Sequence, residues 1–325
     1  MTRTASAFWL NESGKGEVRQ VTLAEPGPGE VEVRTLFSGV SRGTETLVFR
    51  GGVPENQYAV MRAPFQEGDF PWPVKYGYLN VGVVETGNLR GRTVFCLYPH
   101  QTRYVVPETA VTLVPEAVPA ERAVLAGTVE TAVNAVWDAR PLIGDRIAVV
   151  GGGMVGSSIA AVLATFPGAR VELVDADPAR ETVARELGVG FALPGNALDG
   201  CDLVFHASAT EPGLTTALNL LAPEGRVIEL SWYGDRKISV PLGEFFHSRR
   251  LTIRSSQVGT VGRPDRSYAE RMAVALDLLA DARFDALITG HSAFEELPDV
   301  MPKLADGEIP ALCHRIDYGQ AHVPE

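Results

Sequence analysis

The hydrophobic pattern changes period along the chain. Over the first 115 residues, apolar and polar positions alternate in short runs. Examples are Glu30-Val31-Glu32-Val33-Arg34-Thr35-Leu36-Phe37 and Leu79-Asn80-Val81-Gly82-Val83-Val84-Glu85-Thr86-Gly87. Alternation places every second side chain on one face of a strand, and the glycines and prolines between runs mark turns. A β-rich N-terminal region is predicted. Residues 50–75 break the alternation and read as a loop with four prolines and several aromatics. A loop of that length in a compact domain is usually functional.

From 122 to 138 the period is helical, and after that strands and helices alternate. Strands are predicted at 146–150, 170–174, 202–206 and 226–231, with helices at about 153–165, 178–187 and 213–221. A further strand spans 249–256, an amphipathic helix 267–280, and the tail at 311–316 reads as a strand. Alternation of this kind builds a doubly wound parallel sheet, so the fold class is α/β. Asp177 is expected as N-cap of the second of these helices with Pro178 at its first position, and Arg180 as an exposed residue on it.

One stretch carries chemistry. Ile147-Ala148-Val149-Val150 runs into Gly151-Gly152-Gly153-Met154-Val155-Gly156 and then into an apolar helix. A strand, a G-x-G-x-x-G turn and a helix form a dinucleotide-binding fingerprint. Gly151 makes the tight turn, Gly153 lets the backbone approach a pyrophosphate, and Gly156 lets the helix pack on the strand. Met154 and Val155 lie at the helix N-terminus, where free N–H groups and the dipole favour phosphate. The second strand, Arg170–Val174, ends at Asp175, whose carboxylate accepts from ribose hydroxyls and repels a 2′-phosphate. NAD is expected over NADP, without closing the site to NADP.

Composition narrows the partners. With 325 residues, two domains are expected; 45% hydrophobic and 21% charged residues suit a globular protein. A net charge of −11, from 29 basic and 40 acidic residues, argues against nucleic acid. No stretch has the length of a membrane span and no apolar leader opens the chain, so a cytoplasmic protein with a small-molecule substrate is expected. Cys96, Cys201 and Cys313 have neither disulfide nor metal spacing and read as buried thiols.

The order of these parts resembles the medium-chain dehydrogenase/reductase superfamily of zinc alcohol and polyol dehydrogenases, over essentially the whole chain. The markers are Ser38-Gly39-Val40-Ser41, Gly77-Tyr78-Leu79-Asn80-Val81-Gly82, Glu130-Thr131-Ala132 and the Gly151–Gly156 turn. The resemblance implies a GroES-like β-rich substrate domain, residues 1–120 with 290–325, and a Rossmann NAD-binding domain, 121–289. It also implies hydride transfer between a nicotinamide and an alcohol/carbonyl pair in an interdomain cleft, and a homodimer formed through the Rossmann domains.

The departures from the family pattern are informative. Where zinc members carry cysteine and histidine ligands, this chain has Ser41 and Tyr78; at the usual third-ligand position it has Gly127. The four-cysteine structural lobe is absent. Zinc needs three protein ligands to hold a catalytic water or alkoxide, so a protein with no zinc or other metal is expected.

Other residues must then supply acid, base and oxyanion stabilisation. Tyr78 stands at the former histidine position, and Lys75, three residues earlier, is expected to lower its phenol pKa. The alternative reading is that Tyr78 fills space in the core. Thr44 and Glu45 stand where the family has a hydroxyl relay and an adjacent acid. Glu130 precedes the Thr131-Ala132 pair that lies against the nicotinamide in the family; it reads equally as a base or as an acid satisfying a helix dipole, and Asn134 shares its face. His100 lies in a substrate loop by resemblance. His206 and Ser208, at the carboxyl edge of the sheet, are expected to contact the dinucleotide, as are Ser231, Ser256 and Gln257. Arg42, Arg50, Arg62 and Lys75 read as an acid-binding group or as separately solvated charges. Three functions follow: a zinc-independent NAD(P)-dependent dehydrogenase of small polar alcohols or ketones, a zinc-free quinone or enoyl reductase, or a dinucleotide-binding protein without turnover.

Overall fold

The structure is a computed structural model that describes residues 3–319. The chain forms two compact units. One runs to Gly127 and resumes at Ile288; the other spans Thr128–Leu287. The sequence reading had set these limits at 120 and 290.

In the second unit a six-stranded parallel sheet runs Gly190–Ala192, Arg170–Val174, Arg146–Val150, Cys201–His206, Leu221–Glu229, Thr252–Ser255 in spatial order. The Ile147–Val150 run is buried on both faces, as a central parallel strand covered by helices requires. The helices Met154–Leu163, Arg180–Leu187 and Glu211–Asn219 make the crossovers. Thr210 caps the last of these, its hydroxyl accepting from the Gly213 N–H at 3.1 Å. Ser267 and Glu270 form a capping box that starts the helix Tyr268–Leu278. Two boundaries differ from the sequence reading. Asp177 closes a local turn onto the Ala179 N–H, so the helix opens at Arg180, two residues late. The strand read at 226–231 spans Leu221–Glu229.

The first unit is built on antiparallel sheets. The long strand Glu30–Ser41 pairs with Asn80–Val84, with Arg103–Pro107 and with the returning tail strand Cys313–Asp317. A second sheet pairs Thr4–Glu12 with Lys15–Thr22 and with Val74–Lys75. Val31, Val33, Val84, Val94, Tyr104 and Val106 form one core of the unit, the inward half of the alternating pattern. Residues 50–75 hold only a short 3₁₀ turn and two two-residue strands. Their aromatics pack in series, Tyr58 on Phe70, Phe70 on Tyr76, and Tyr76 edge-on to Tyr78. Cys96, Cys201 and Cys313 are free and buried.

Candidate functional site

In the second unit the glycine turn has the shape its motif requires. Gly151 has φ +108°, and a Cβ there would lie 2.6 Å from the Ser208 nitrogen. A Cβ on Gly156 would fall 1.9 Å from the Gly151 carbonyl oxygen, so only glycine lets the helix sit on the turn. Beside Gly153 nothing lies within 4 Å of an added Cβ. The open ground is at the N-terminus of the helix that begins at Met154, where a pyrophosphate fits the free amides and the dipole.

Asp175 faces this turn. One carboxylate oxygen accepts from the Gly152 N–H and the other from the Asp177 N–H. Arg180 corrects the sequence reading: its side chain is only 15% exposed, its Nε is 3.5 Å from Asp177, and its stem packs against Gly152.

At the carboxyl edge of the next strand, His206 is fully buried. Its Nδ1 is 2.7 Å from Glu229 Oε2 and its Nε2 2.7 Å from Ser208 Oγ. Ser208 Oγ lies 2.9 Å from Thr210 Oγ1 and accepts from the Thr210 N–H. Ser231 donates its N–H to Glu229 and accepts from the Ala209 N–H. Burial pushes the Glu229 carboxyl up, but hydrogen bonds from His206 and Ser231 outweigh it, and Glu229 ends below the usual carboxylate range.

Other residues expected at the nicotinamide are committed elsewhere. Glu130 holds the buried Arg271 at 3.0 Å, and Asn134 accepts from the same guanidinium. Burial raises the Glu130 carboxyl and Arg271 opposes it. The pair ties the helix Ala126–Ala139 to Tyr268–Leu278, so in this geometry Glu130 is an anchor rather than a free base. Ser256 donates to Asp138 at 2.8 Å, and Gln257 closes a turn onto the Gly259 N–H. Each has one polar atom engaged within the second unit. Thr131 is half-buried on the same helix as Glu130.

In the first unit, Tyr78 is half-buried beside the start of the helix Arg42–Phe49. Burial and the Glu45 carboxylate push its phenol up to about 12, while hydrogen bonds with Ser41 and Thr44 pull against the rise. The shift is opposite to the one expected from Lys75. That lysine is 1% exposed and bonds Glu67 and Gln101, with the Tyr98 hydroxyl at 3.5 Å, in a separate cluster. Burial lowers its own pKa against the pull of Glu67. Arg50 pairs with Asp306 and Arg62 with Asp69, so the cations form no common acid site; Arg42 is exposed.

Behind Tyr78 lies a buried chain. Glu45 accepts from the Ser41 N–H at 2.7 Å and is 2.9 Å from His100 Nε2. His100 Nδ1 meets Ser38 Oγ at 2.7 Å, and Ser38 meets the Tyr318 hydroxyl at 2.9 Å. His100 is 2% exposed. Sequence reasoning found His100, named Glu45 only as a neighbour, and missed Tyr318 altogether. Pairing of the tail strand with residues 37–41 is what brings Tyr318 in.

The positions of the zinc ligands do not fit the metal. Ser41 and Tyr78 are engaged with each other, and an added Cβ on Gly127 would fall 2.6 Å from Leu79 Cδ2. Among the described residues no group of three or more His, Cys, Asp or Glu is placed to hold a metal ion.

No protein-family model matches the chain. Among curated proteins it is similar to D-guloside 3-dehydrogenase of Escherichia coli, 24% identical over 310 residues, covering 85% of this chain and 86% of that protein. It is also similar to D-xylulose reductase A of Aspergillus oryzae, 24% identical over 223 residues, covering 63% of this chain and 60% of the reductase. Among solved structures, L-idonate 5-dehydrogenase of Escherichia coli superposes with a TM-score of 0.81 at 15% identity, covering 98% of this chain and 99% of its own. Acetophenone reductase of Geotrichum candidum, in complex with NAD, gives 0.78 at 18%, covering 99% of each chain. In element order, fold and curated relatives the chain resembles the medium-chain dehydrogenase/reductase superfamily.

Proposed function

We propose that the protein is a zinc-independent, NAD(P)-dependent oxidoreductase that interconverts a small polar alcohol and its ketone, with NAD preferred. The glycine turn carries the reading: two of its glycines admit no side chain, and the third fronts open ground. Relatives named as dehydrogenases and reductases of sugars and small alcohols, and fold neighbours bound to NADH, NAD or NADP, support it. Asp175, with both oxygens on backbone donors, supports the preference for a ribose hydroxyl over a phosphate.

A bound nicotinamide supplies or accepts the hydride. Gly151, Gly153 and Gly156 with the amides at Met154 and Val155 would hold the pyrophosphate. Asp175 would hold the adenosine ribose. His206, Ser208 and Ser231 would border the other half. Tyr78 keeps its proton to about 12, so at neutral pH its hydroxyl acts as a donor. It would stabilise a carbonyl or alkoxide oxygen, the task zinc performs elsewhere. Ser41 and Thr44 orient that hydroxyl, and Glu45 with His100 offers a buried carboxylate–imidazole pair behind it. The residues at the zinc positions support chemistry without the metal. The edge strand Thr252–Ser255, exposed along its length except at Ile253, supports a homodimer through the second units. A small-molecule substrate and a cytoplasmic setting complete the reading.

The test is NADH absorbance with metal-stripped protein, NAD or NADP, and a panel of alcohols, polyols, sugar derivatives and hydroxy acids. Turnover that chelation leaves unchanged is expected. Activity only after zinc is restored would overturn the metal-free reading. Turnover confined to activated double bonds with NADPH would shift the assignment to a quinone or enoyl reductase. Binding without any turnover would leave a dinucleotide-binding protein.

A further inference from the structure

Ser208, His206 and Glu229 are spaced as a serine hydrolase triad is: hydroxyl to imidazole 2.7 Å, imidazole to carboxylate 2.7 Å. The neighbouring donors and acceptors give this serine a different role. Glu229 is an ionised acceptor, receiving from the Ser231 N–H on Oε1 and from the Tyr233 hydroxyl on Oε2. His206 Nδ1 therefore donates to it. At the other end, Thr210 Oγ1 accepts from the Gly213 N–H, and its own proton has Ser208 Oγ within reach. Ser208 accepts that proton and the Thr210 N–H, and its own proton goes to His206 Nε2. With this direction every hydroxyl proton of the chain has an acceptor. In that arrangement Ser208 Oγ is held by both Thr210 and His206. The Gly213 backbone closes over it, an added Cβ falling 2.1 Å from Ser208 Oγ.

Such a chain fixes a loop. The Ser208 backbone presses on the glycine turn, and the strand order of the sheet reverses between Arg146–Val150 and Cys201–His206. Ligands bind outside the carboxyl ends of strands at such a reversal. Asp175 ends the strand on one side of Arg146–Val150, and His206 ends the strand on the other. The two thus border different halves of a dinucleotide lying across the turn.

We propose that the Glu229–His206–Ser208–Thr210 chain, held with the imidazole proton on Nδ1, is a positioning device for the nicotinamide half of the dinucleotide. It rests on the dinucleotide reading given above. It adds Glu229, Thr210 and Tyr233 to the site and makes His206 an internal strut.

The experiment uses the full chain labelled with ¹⁵N, and Glu229→Gln, which keeps volume and removes the ionised acceptor. Long-range ¹H–¹⁵N spectra read the His206 tautomer, and calorimetry reads affinity for NADH, NADPH and AMP. The wild type should show an Nδ1–H imidazole and bind NADH. Glu229→Gln should move the proton to Nε2 and weaken NADH about tenfold, the factor of roughly one lost hydrogen bond. AMP, which needs only the Asp175 side, should bind unchanged. Ser208→Ala should give the same split with the proton still on Nδ1. Equal losses for NADH and AMP would show a merely structural edge and overturn the proposal. So would unchanged NADH affinity after the tautomer has moved, or a wild-type proton on Nε2. If the wild type binds no NADH, NADPH or AMP, the dinucleotide reading itself fails and the positioning role with it, whatever the tautomer.

Discussion

Each unit contains a serine, a histidine and a glutamate in one hydrogen-bonded chain, and the two chains end differently. Ser38–His100–Glu45 is buried throughout and continues to the half-buried Tyr318. Ser208–His206–Glu229 has a buried imidazole, but its glutamate side chain is 14% exposed and its hydroxyl end reaches the exposed Thr210. The rings also face opposite ways: Glu45 meets Nε2, whereas Glu229 meets Nδ1. Identical residue types therefore carry different weight. A broken link in the first chain leaves a polar group that no water can reach; a broken link in the second can be repaired from solvent.

The largest expected contrast is between two tyrosines. Tyr78→Phe should lower turnover about 10²- to 10⁴-fold, the range of a lost proton donor, with NADH affinity unchanged. Tyr233→Phe, which removes the phenol on Glu229, should act through NADH affinity, raising the KM for NADH a few-fold, and not through the chemical step. Equal effects in steady-state kinetics would erase the distinction between the chains.

Next comes stability. Glu45→Ala strips the acceptor from His100 and from the Ser41 N–H. It should cost about 3 kcal/mol, as loss of one partner of a buried pair does. Glu229→Ala should cost about 1 kcal/mol, since water can replace the carboxylate. Urea denaturation measures both, and a Glu229 effect as large as that of Glu45 would break the comparison.

Alkaline pH should separate the units further. Burial, the leading cause at each, raises Tyr76, Tyr78, Tyr98, Tyr104 and Tyr318 in the first unit, and Tyr233 in the second. A phenol with a folded pKa above its unfolded value stays protonated when folded and ionises when unfolded. Above about pH 10 the unfolded chain thus binds fewer protons, and stability falls as pH rises. Tyr78 contributes this loss between about 10 and about 12. Hydrogen exchange followed from pH 9 to 11, corrected for intrinsic rates, should lose protection in the first unit before the second. The smallest contrast is Ser38→Ala, expected to cost about 1 kcal/mol, against Ser208→Ala at about 0.5 kcal/mol in the same denaturation assay.

Which of these residues the sequence reveals depends on how local their signals are. The sheet strands and the glycine turn were readable because a buried parallel strand is an apolar run and the turn needs glycine at fixed spacing. His206 was readable as the last residue of its strand. Glu130 was misread because its partner, Arg271, lies 141 residues away, and nothing in the local pattern distinguishes a paired acid from a free one. Lys75 was misread for the same reason: Glu67 and Gln101 withdraw it from Tyr78. Ser256 and Gln257 looked like pocket residues, yet close contacts inside their own unit. Helix and strand periods report which face is buried; they do not report which polar groups find one another across the fold.

The pairing of Glu30–Ser41 with Cys313–Asp317 has a consequence for biosynthesis. The central strand of the first unit leaves the ribosome well before its neighbour does. The inserted unit, Thr128–Leu287, is complete before that neighbour exists. Domains fold as units while the chain emerges, ordinarily from the N-terminus onward. Here the order is reversed: the later-starting unit can close first, while the earlier one waits with an open sheet edge for the strand Cys313–Asp317. Nascent chains stalled once Leu287 has cleared the ribosome, but before Cys313–Asp317 has, should protect the dinucleotide fold from protease and leave the strand at 30–41 open to cleavage.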